Sequence, residues 1–274
     1  MINRYTVIGQ PIAHSLSPVV HQLFGELTQR KIHYTRTEST PEKFAQTVID
    51  WQLSGAKGCN VTSPFKEQAF ATCARLSGNA RRAGSVNTIE MHRDGQLVGH
   101  NTDGLGLVAD IVANKRRVLA SKRILLLGAG GAARGVMAPL LLEQPSLLHI
   151  ANRTTEKAEQ LAALFNDLGQ VTASGLDELA DLAAFDLIIN ATTISLDGGM
   201  THLPDSVIAS DGLAYDMTYA NRDTPFMKWG KSRGATASNG LGMLVEQAAE
   251  AFLIWEGVRP KTRMAYPRLM ELLS

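Results

Sequence analysis

The 274-residue chain is poor in cysteine, having only Cys59 and Cys73. Two thiols at that spacing form neither a metal motif nor a disulfide framework, so both read as small, reduced core residues. Net charge is nearly absent: 27 Lys and Arg face 26 Asp and Glu, with no basic run. That balance lacks the electrostatic footprint of a nucleic-acid binder. The seven histidines, at 14, 21, 33, 92, 100, 149 and 202, make no HxxH or HExxH pattern, which argues against a metal hydrolase and leaves no metal site to expect. Long hydrophobic runs are missing too. The most apolar stretch, 124–142, is interrupted by Gly128, Gly130, Gly131 and Arg134, too polar in its middle for a bilayer span. The N-terminal MINRYTVIGQ enters a strand pattern directly, with no signal-peptide core. The expectation is a soluble, cytoplasmic protein with no membrane partner.

Hydrophobic residues at 45% are ordinary for a chain that buries a core. Short β-rich runs alternate with helical patterns. YTVIG (5–9) reads as a strand, and Ser17 followed by Pro18 supplies an N-cap and an N1 proline for a helix to about Arg30. HYTRTE (33–38) is strand-like, the stretch from Pro41 to Leu53 helical, Gly58 to Thr62 a strand, and Lys66 opens a helix. The Asp94-Gly95 dipeptide marks a hairpin turn. After about Asp103 near-continuous apolar strands recur at RILLL, LLHIAN, DLIINAT and GLAYDM with helices between them, the pattern of a parallel sheet covered on both faces. A long helix from about Gly242 to Trp255 and a short one near 266–273 close the chain. The fold class is α/β in two domains. An N-terminal α/β domain with a mixed sheet precedes a C-terminal Rossmann-type, doubly wound parallel sheet.

RILLLGAGGAARG runs strand, glycine loop, helix. Gly128 and Gly130 fill the first two places of a GxGxxG/A scheme and Ala133 the third. Helix N-terminal amides then face an anion, and the βαβ context makes the pattern a strong dinucleotide signal. The second strand ends in Asn152-Arg153-Thr154-Thr155 with Lys157 beyond, and carries no acid at the usual ribose-binding place. Two cations there suit a 2′-phosphate, so the cofactor is read as NADP rather than NAD.

In the first domain Ser15 and Ser17 flank Leu16 before a helix. Asn60 and Thr62 share one face of a strand, Asn87 follows an apolar pair, and Asn101-Thr102-Asp103 ends the hairpin. Each alone is an ordinary cap or turn residue. Together with Lys66 they suggest a pocket for a small ligand bearing hydroxyls and a carboxylate.

The segments GQPIAHSLSPVVH, GCNVTSPFKE, AGSVNTI, GHNTDGLG, LLLGAGGAARGV, ANRTTEKA and NGLGMLVEQAAEAF resemble, block after block and in order, the shikimate dehydrogenase family. The chain departs from that pattern in CARLSGNARRAG and in the NATTISLDGG run. The resemblance implies NADP-dependent, reversible reduction of 3-dehydroshikimate to shikimate, on the route to chorismate and aromatic amino acids. It also implies a discontinuous substrate domain, 1–103 plus 241–274, around an NADP domain, 104–240. By the same resemblance Lys66 and Asp103 are the catalytic pair. Ser15, Ser17 and Thr62 hold the carboxylate; Asn60, Asn87, Asp103 and Gln247 address ring hydroxyls, and Tyr219 reaches the substrate. The cofactor set is Gly128, Ala129, Gly130, Gly131 and Ala132 at the phosphates, Asn152, Arg153, Thr154 and Lys157 at the 2′-phosphate, and Met217 and Gly240 beside the nicotinamide. Segments 193–202 and 220–224 are expected to move when the site closes. Two alternatives stand beside this reading: a broader quinate/shikimate dehydrogenase using NAD or NADP, and a non-catalytic dinucleotide sensor. Oligomeric state is left as monomer or homodimer.

Overall fold

The computed structural model describes residues 2–92, 94–192, 194, 198–219 and 222–273. Chain contacts divide it into two units, Met1–Gly106 with Leu244–Ser274, and Leu107–Met243.

The first unit holds a six-stranded sheet of β1 (Asn3–Gly9), β2 (Ile32–Glu38), β3 (Gly58–Val61), β4 (Arg75–Leu76), β5 (Thr88–Met91) and β6 (Leu97–His100), in the order β2-β1-β3-β5-β6-β4. β1 pairs in parallel with β2 and β3, whereas β5 runs antiparallel to both β3 and β6, so the sheet is mixed. The β5–β6 hairpin carries Gly95 at φ +88°, and Asp94 Oδ1 accepts the Gln96 amide at 3.0 Å. Helix Ser17–Thr28 covers one face, its His21 ring stacked on Tyr34 at 4.3 Å. Helix Leu241–Glu256 covers the same aromatic cluster, with Trp255 stacked on Tyr5 at 4.6 Å and donating to the Ile89 carbonyl at 3.1 Å. The long C-terminal helix thus belongs with the first sheet, although a whole domain's length of chain separates the two.

The second unit is a parallel sheet of β7 (Arg123–Leu127), β8 (Leu147–Ala151), β9 (Val171–Ser174), β10 (Phe185–Asn190), β11 (Ile208–Asp216) and β12 (Thr236–Ser238), ordered β12-β11-β10-β7-β8-β9. Counted from its own first strand this is 3-2-1-4-5-6, read from the β9 edge, the doubly wound dinucleotide-binding order. RILLL and FDLIIN are buried nearly end to end because helices shield both faces. No described helix is long and apolar enough to cross a membrane.

His149, on β8, is a polar residue inside this apolar sheet. Its ring nitrogens meet Thr172 Oγ1 at 2.7 Å and Ser174 Oγ at 2.9 Å on β9, where the register sets His149 beside Thr172. Burial lowers its pKa to about 4, the nearby Arg123 adding to the effect. The folded state therefore binds fewer protons than the unfolded state, whose histidine titrates near 6.5. This contribution to stability is complete above about pH 6.5 and is lost as pH falls toward 4. Urea unfolding from pH 7 to 4 should show a decline of at most about 1.4 kcal/mol per pH unit from this residue. His149→Gln, which keeps a donor and an acceptor, should flatten that part of the curve.

Candidate active site

The chain reaches Lys66 through strand β3 and a turn over Thr62 to Phe65, with Ser63-Pro64 in the cis form and the Phe65 amide bonded to the Thr62 carbonyl at 3.0 Å. Lys66 is the first residue of helix Lys66–Thr72. A cation there opposes the helix dipole, and a carboxylate offsets it: Lys66 Nζ donates to Asp103 Oδ2 at 2.6 Å. Asp103 opens helix Asp103–Ala109, where an anion is favoured. Its backbone amide donates to Asn101 Oδ1 at 3.1 Å, and Asn101 Nδ2 in turn donates to the Ser85 carbonyl and hydroxyl. The carboxylate is 11% exposed and the lysine side chain 29%, so the pair is shielded yet reachable.

The other carboxylate oxygen, Asp103 Oδ1, accepts from Asn87 Nδ2 at 2.8 Å. Asn87 Oδ1 receives the Thr102 amide at 2.9 Å and the Thr88 hydroxyl at 3.0 Å. Gln247, from helix Leu241–Glu256, brings its Oε1 to 3.4 Å from both Asn87 Nδ2 and Thr102 Oγ1, and anchors itself by donating to the Leu244 carbonyl. Lys66, Asn87, Asp103 and Gln247 are thus assembled from four separate segments. Asn60 joins the same cluster in a different capacity. Its Oδ1 accepts the Tyr34 hydroxyl at 2.6 Å, and its Nδ2 donates to the Asn87 carbonyl at 3.1 Å and Thr88 Oγ1 at 3.0 Å.

Ser15 and Ser17 stand at the start of helix Ser17–Thr28, and Thr62 directly follows the end of β3. Ser17 is not an N-cap: the helix begins with Ser17 itself, Leu16 holds the cap position, and no side chain caps it. The Ser17 amide is one of the orphan donors of a first turn, and it is Ser15 Oγ, at 3.3 Å, that accepts it. The Arg36 guanidinium clamps the Ser15 carbonyl from two nitrogens, at 2.9 and 2.6 Å, fixing this turn from β2. Thr62 continues the β3 ladder by donating its amide to the Ile8 carbonyl at 2.9 Å and stays partly exposed.

In the second unit a cavity of about 630 Å³ opens at the carboxyl ends of β7, β8 and β10, where a doubly wound sheet binds its ligand. Gly128, Ala129, Gly130, Asn152, Arg153, Thr154 and Lys157 line it. Helix Gly131–Leu142 starts at its rim with no side-chain cap, leaving first-turn amides to meet an anion. The two leading glycines serve different needs. Gly128 has φ +101° and sits against Thr192, so its backbone requires glycine. Gly130 is extended (φ −88°, ψ −172°) and an added Cβ would meet nothing within 4 Å. Neither the backbone nor the surrounding protein demands a glycine there, and the space beside it is open. Gly131 and Ala132 follow in the helix's first turn, and Ala133, the third small position, is fully buried against the core. Asn152 shapes the far wall, donating to the Thr154 carbonyl at 2.9 Å. Met217 and Gly240 are brought together: the Gly240 amide donates to the Thr218 carbonyl at 3.0 Å, and a Cβ on Gly240 would strike the Met217 carbonyl. Tyr219 is exposed in the same unit. Positions 193, 195–197, 220 and 221 of the two segments expected to move lie outside the described residues.

Several lining residues have no mark in the sequence. Thr192, Thr201 and His202 border the cavity from the segment after β10, where no periodicity points at a ligand. Thr88 and Tyr34 complete the lysine cluster beside Thr102 of the hairpin-end triplet; Thr88 reads only as an ordinary β-branched strand residue.

A phosphate cradle on a parallel sheet and a shielded lysine–aspartate pair in a mixed-sheet unit define a dinucleotide-dependent oxidoreductase of α/β build. Three family models match the chain: the shikimate dehydrogenase substrate binding domain over residues 7–89, shikimate / quinate 5-dehydrogenase over 110–196, and the shikimate 5′-dehydrogenase C-terminal domain over 240–263. The shikimate dehydrogenase (NADP(+)) of Aeromonas hydrophila is 54% identical over 274 residues, all of this chain and 99% of that protein. Among solved structures, an Ael1 enzyme from Pseudomonas putida superposes with a TM-score of 0.92 at 41% identity, over 97% of this chain and 98% of the other. The shikimate 5-dehydrogenase of Thermus thermophilus, solved with NADP(H) and shikimate, gives 0.86 at 31% identity, over 97% and 99%. The chain belongs to the shikimate dehydrogenase family.

The two glycines should separate in a stability measurement. Gly130→Val should leave the unfolding free energy within about 0.5 kcal/mol of the parent. Gly128→Val, forced to a positive φ, should lose more than about 1 kcal/mol. Equal losses in chemical denaturation would contradict the distinction.

Proposed function

We propose that this chain catalyses the reversible, NADP-dependent interconversion of shikimate and 3-dehydroshikimate, with the first unit as substrate and catalytic domain and the second as NADP domain. The observation that carries this reading is the 2.6 Å contact of Lys66 Nζ with Asp103 Oδ2, held from its other side by Asn87. A lysine and a carboxylate so placed can hold a hydroxyl and move its proton. The cofactor fits the second unit: the space above Gly130, the uncapped helix start, and Arg153, Thr154 and Lys157 beside Asn152 suit a pyrophosphate and a 2′-phosphate. Among the described residues lining that cavity, none is a carboxylate that would meet a ribose 2′-hydroxyl.

NADPH, when bound, supplies the hydride. The chain's own residues do the rest. Lys66 donates the proton that the developing alkoxide needs in reduction and takes it back in oxidation, oriented by Asp103. Ser15, Ser17 and Thr62 hold the substrate carboxylate. Asp103, Asn87, Gln247 and Asn60 address its hydroxyls, with Tyr219 also reaching the substrate and Met217 and Gly240 flanking the nicotinamide. A cytoplasmic location, and a monomer or homodimer, belong to the same reading.

The test is absorbance of the reduced nicotinamide with shikimate and NADP, using NAD and quinate as controls. Turnover should favour shikimate with NADP; comparable rates with quinate or NAD would favour the broader enzyme, and none at all would end the proposal. Lys66→Met should lose about a hundredfold or more in kcat while NADP binding is kept. Near-parental turnover would remove Lys66 from the mechanism. Gly130→Val should weaken NADP binding by at least about tenfold in a fluorescence titration, because its side chain occupies the approach to the pyrophosphate.

A further inference from the structure

Thr88 is fully buried in the middle of the first sheet, in register with Asn60 on one side and His100 on the other. Valine is the residue that a fully buried strand position ordinarily favours, and it would fill the same space. The hydroxyl is therefore the part to explain. It accepts from Asn60 Nδ2 at 3.0 Å and donates to Asn87 Oδ1 at 3.0 Å. Asn87 then presents its amide nitrogen to Asp103 Oδ1 at 2.8 Å, and Asp103 holds Lys66 at 2.6 Å. At the far end Asn60 is pinned by the Tyr34 hydroxyl at 2.6 Å. A continuous line of hydrogen bonds runs Tyr34, Asn60, Thr88, Asn87, Asp103, Lys66, and each bond in it has a defined donor and acceptor.

We propose that Thr88 is a positioning residue for the reaction: its hydroxyl couples Asn60 to Asn87, and so fixes the amide that orients the Asp103 carboxylate toward Lys66. It touches neither substrate nor cofactor. An alcohol is the only kind of group of this size that both accepts from one amide and donates to the next. Removing it strands an Asn60 N–H inside the sheet and releases one of the groups holding Asn87. Asn87 then samples more than one position, and the Lys66–Asp103 geometry loosens with it. Misplacement of such a pair by a fraction of an ångström is felt in turnover more than in cofactor binding, to which the pair does not contribute.

The inference rests on the proposed reaction, so parent, Thr88→Ser, Thr88→Ala and Thr88→Val are assayed side by side with shikimate and NADP. Ser and Ala both lack the methyl group and differ only in the hydroxyl, while Val keeps the shape and loses the hydroxyl. Thr88→Ser should retain kcat within about threefold, whereas Ala and Val should each lose about tenfold or more, with KM for NADP unchanged. Loss of thermal stability in Ala or Val at parental kcat would show a structural role only and overturn the proposal. So would a Ser variant as slow as Ala, or failure of both hydroxyl-free variants to fold where Ser folds. An inactive parent would instead overturn the reaction itself, which keeps the two failures apart.

Discussion

The first unit is organised around one electrostatic problem, a lysine ammonium at the start of a short helix and partly out of water. Left alone, that charge would meet both desolvation and an adverse helix dipole. Asp103 answers both, but a carboxylate drawn in beside it needs its own partners. Each oxygen has one: Lys66 for Oδ2 and Asn87 for Oδ1. Asn87 needs its orientation fixed, which Thr102 and Thr88 do, and Thr88 brings in Asn60 and Tyr34. The polar core of this unit is the sequence of consequences that follows from admitting one cation.

The second unit solves the opposite problem. Around its cavity the chain withdraws side chains and offers backbone, an arrangement that suits an anion. Gly128 supplies the turn and Gly130 the clearance, while the charged and polar groups stand back along the rim at Arg153, Thr154 and Lys157. Behind the rim the strand ends are held by a separate polar set. Asn190 Oδ1 accepts from the Thr192 amide and hydroxyl, Asn190 Nδ2 donates to Asp216, and Asp216 accepts from Thr224. In one site the side chains are bonded to one another, and in the other the strand ends are tied below an open surface. Both are ways of fixing geometry before a ligand arrives.

The parallel strands of the second unit were legible because RILLL and DLIIN are apolar without alternation. β9, VTAS, and β12, TAS, escaped the reading: they lie at the two edges of the sheet, where partial exposure dilutes the hydrophobic signal. β4 is two residues long and has no pattern to read. At the site, the polar residues at strand and helix ends were visible as a group, while their pairing was not. Asn87 and Gln247 are 160 positions apart, and no local periodicity joins them; only the family resemblance did. Ser17 misled because serine before proline at a helix start is an ordinary cap signature. The helix begins one residue earlier than that signature implies.

The donors and acceptors already engaged limit what each residue can offer a ligand. Asn60 has both amide hydrogens engaged and one oxygen lone pair taken, so toward a ligand it can only accept, as from a hydroxyl. Asn87 is fuller still, with its oxygen receiving from Thr88 and Thr102 and its nitrogen facing Asp103 and Thr102. The slack lies elsewhere. Lys66 has two of its three ammonium hydrogens beyond the Asp103 bond, and Gln247 Oε1 makes only two contacts among the described residues, both at the long distance of 3.4 Å. A hydroxylated ligand can take those positions without breaking any short bond of the cluster. Lys66 and Gln247 thus keep the most hydrogen-bonding capacity of the cluster, Asn60 keeps one acceptor position, and Asn87 holds the group together.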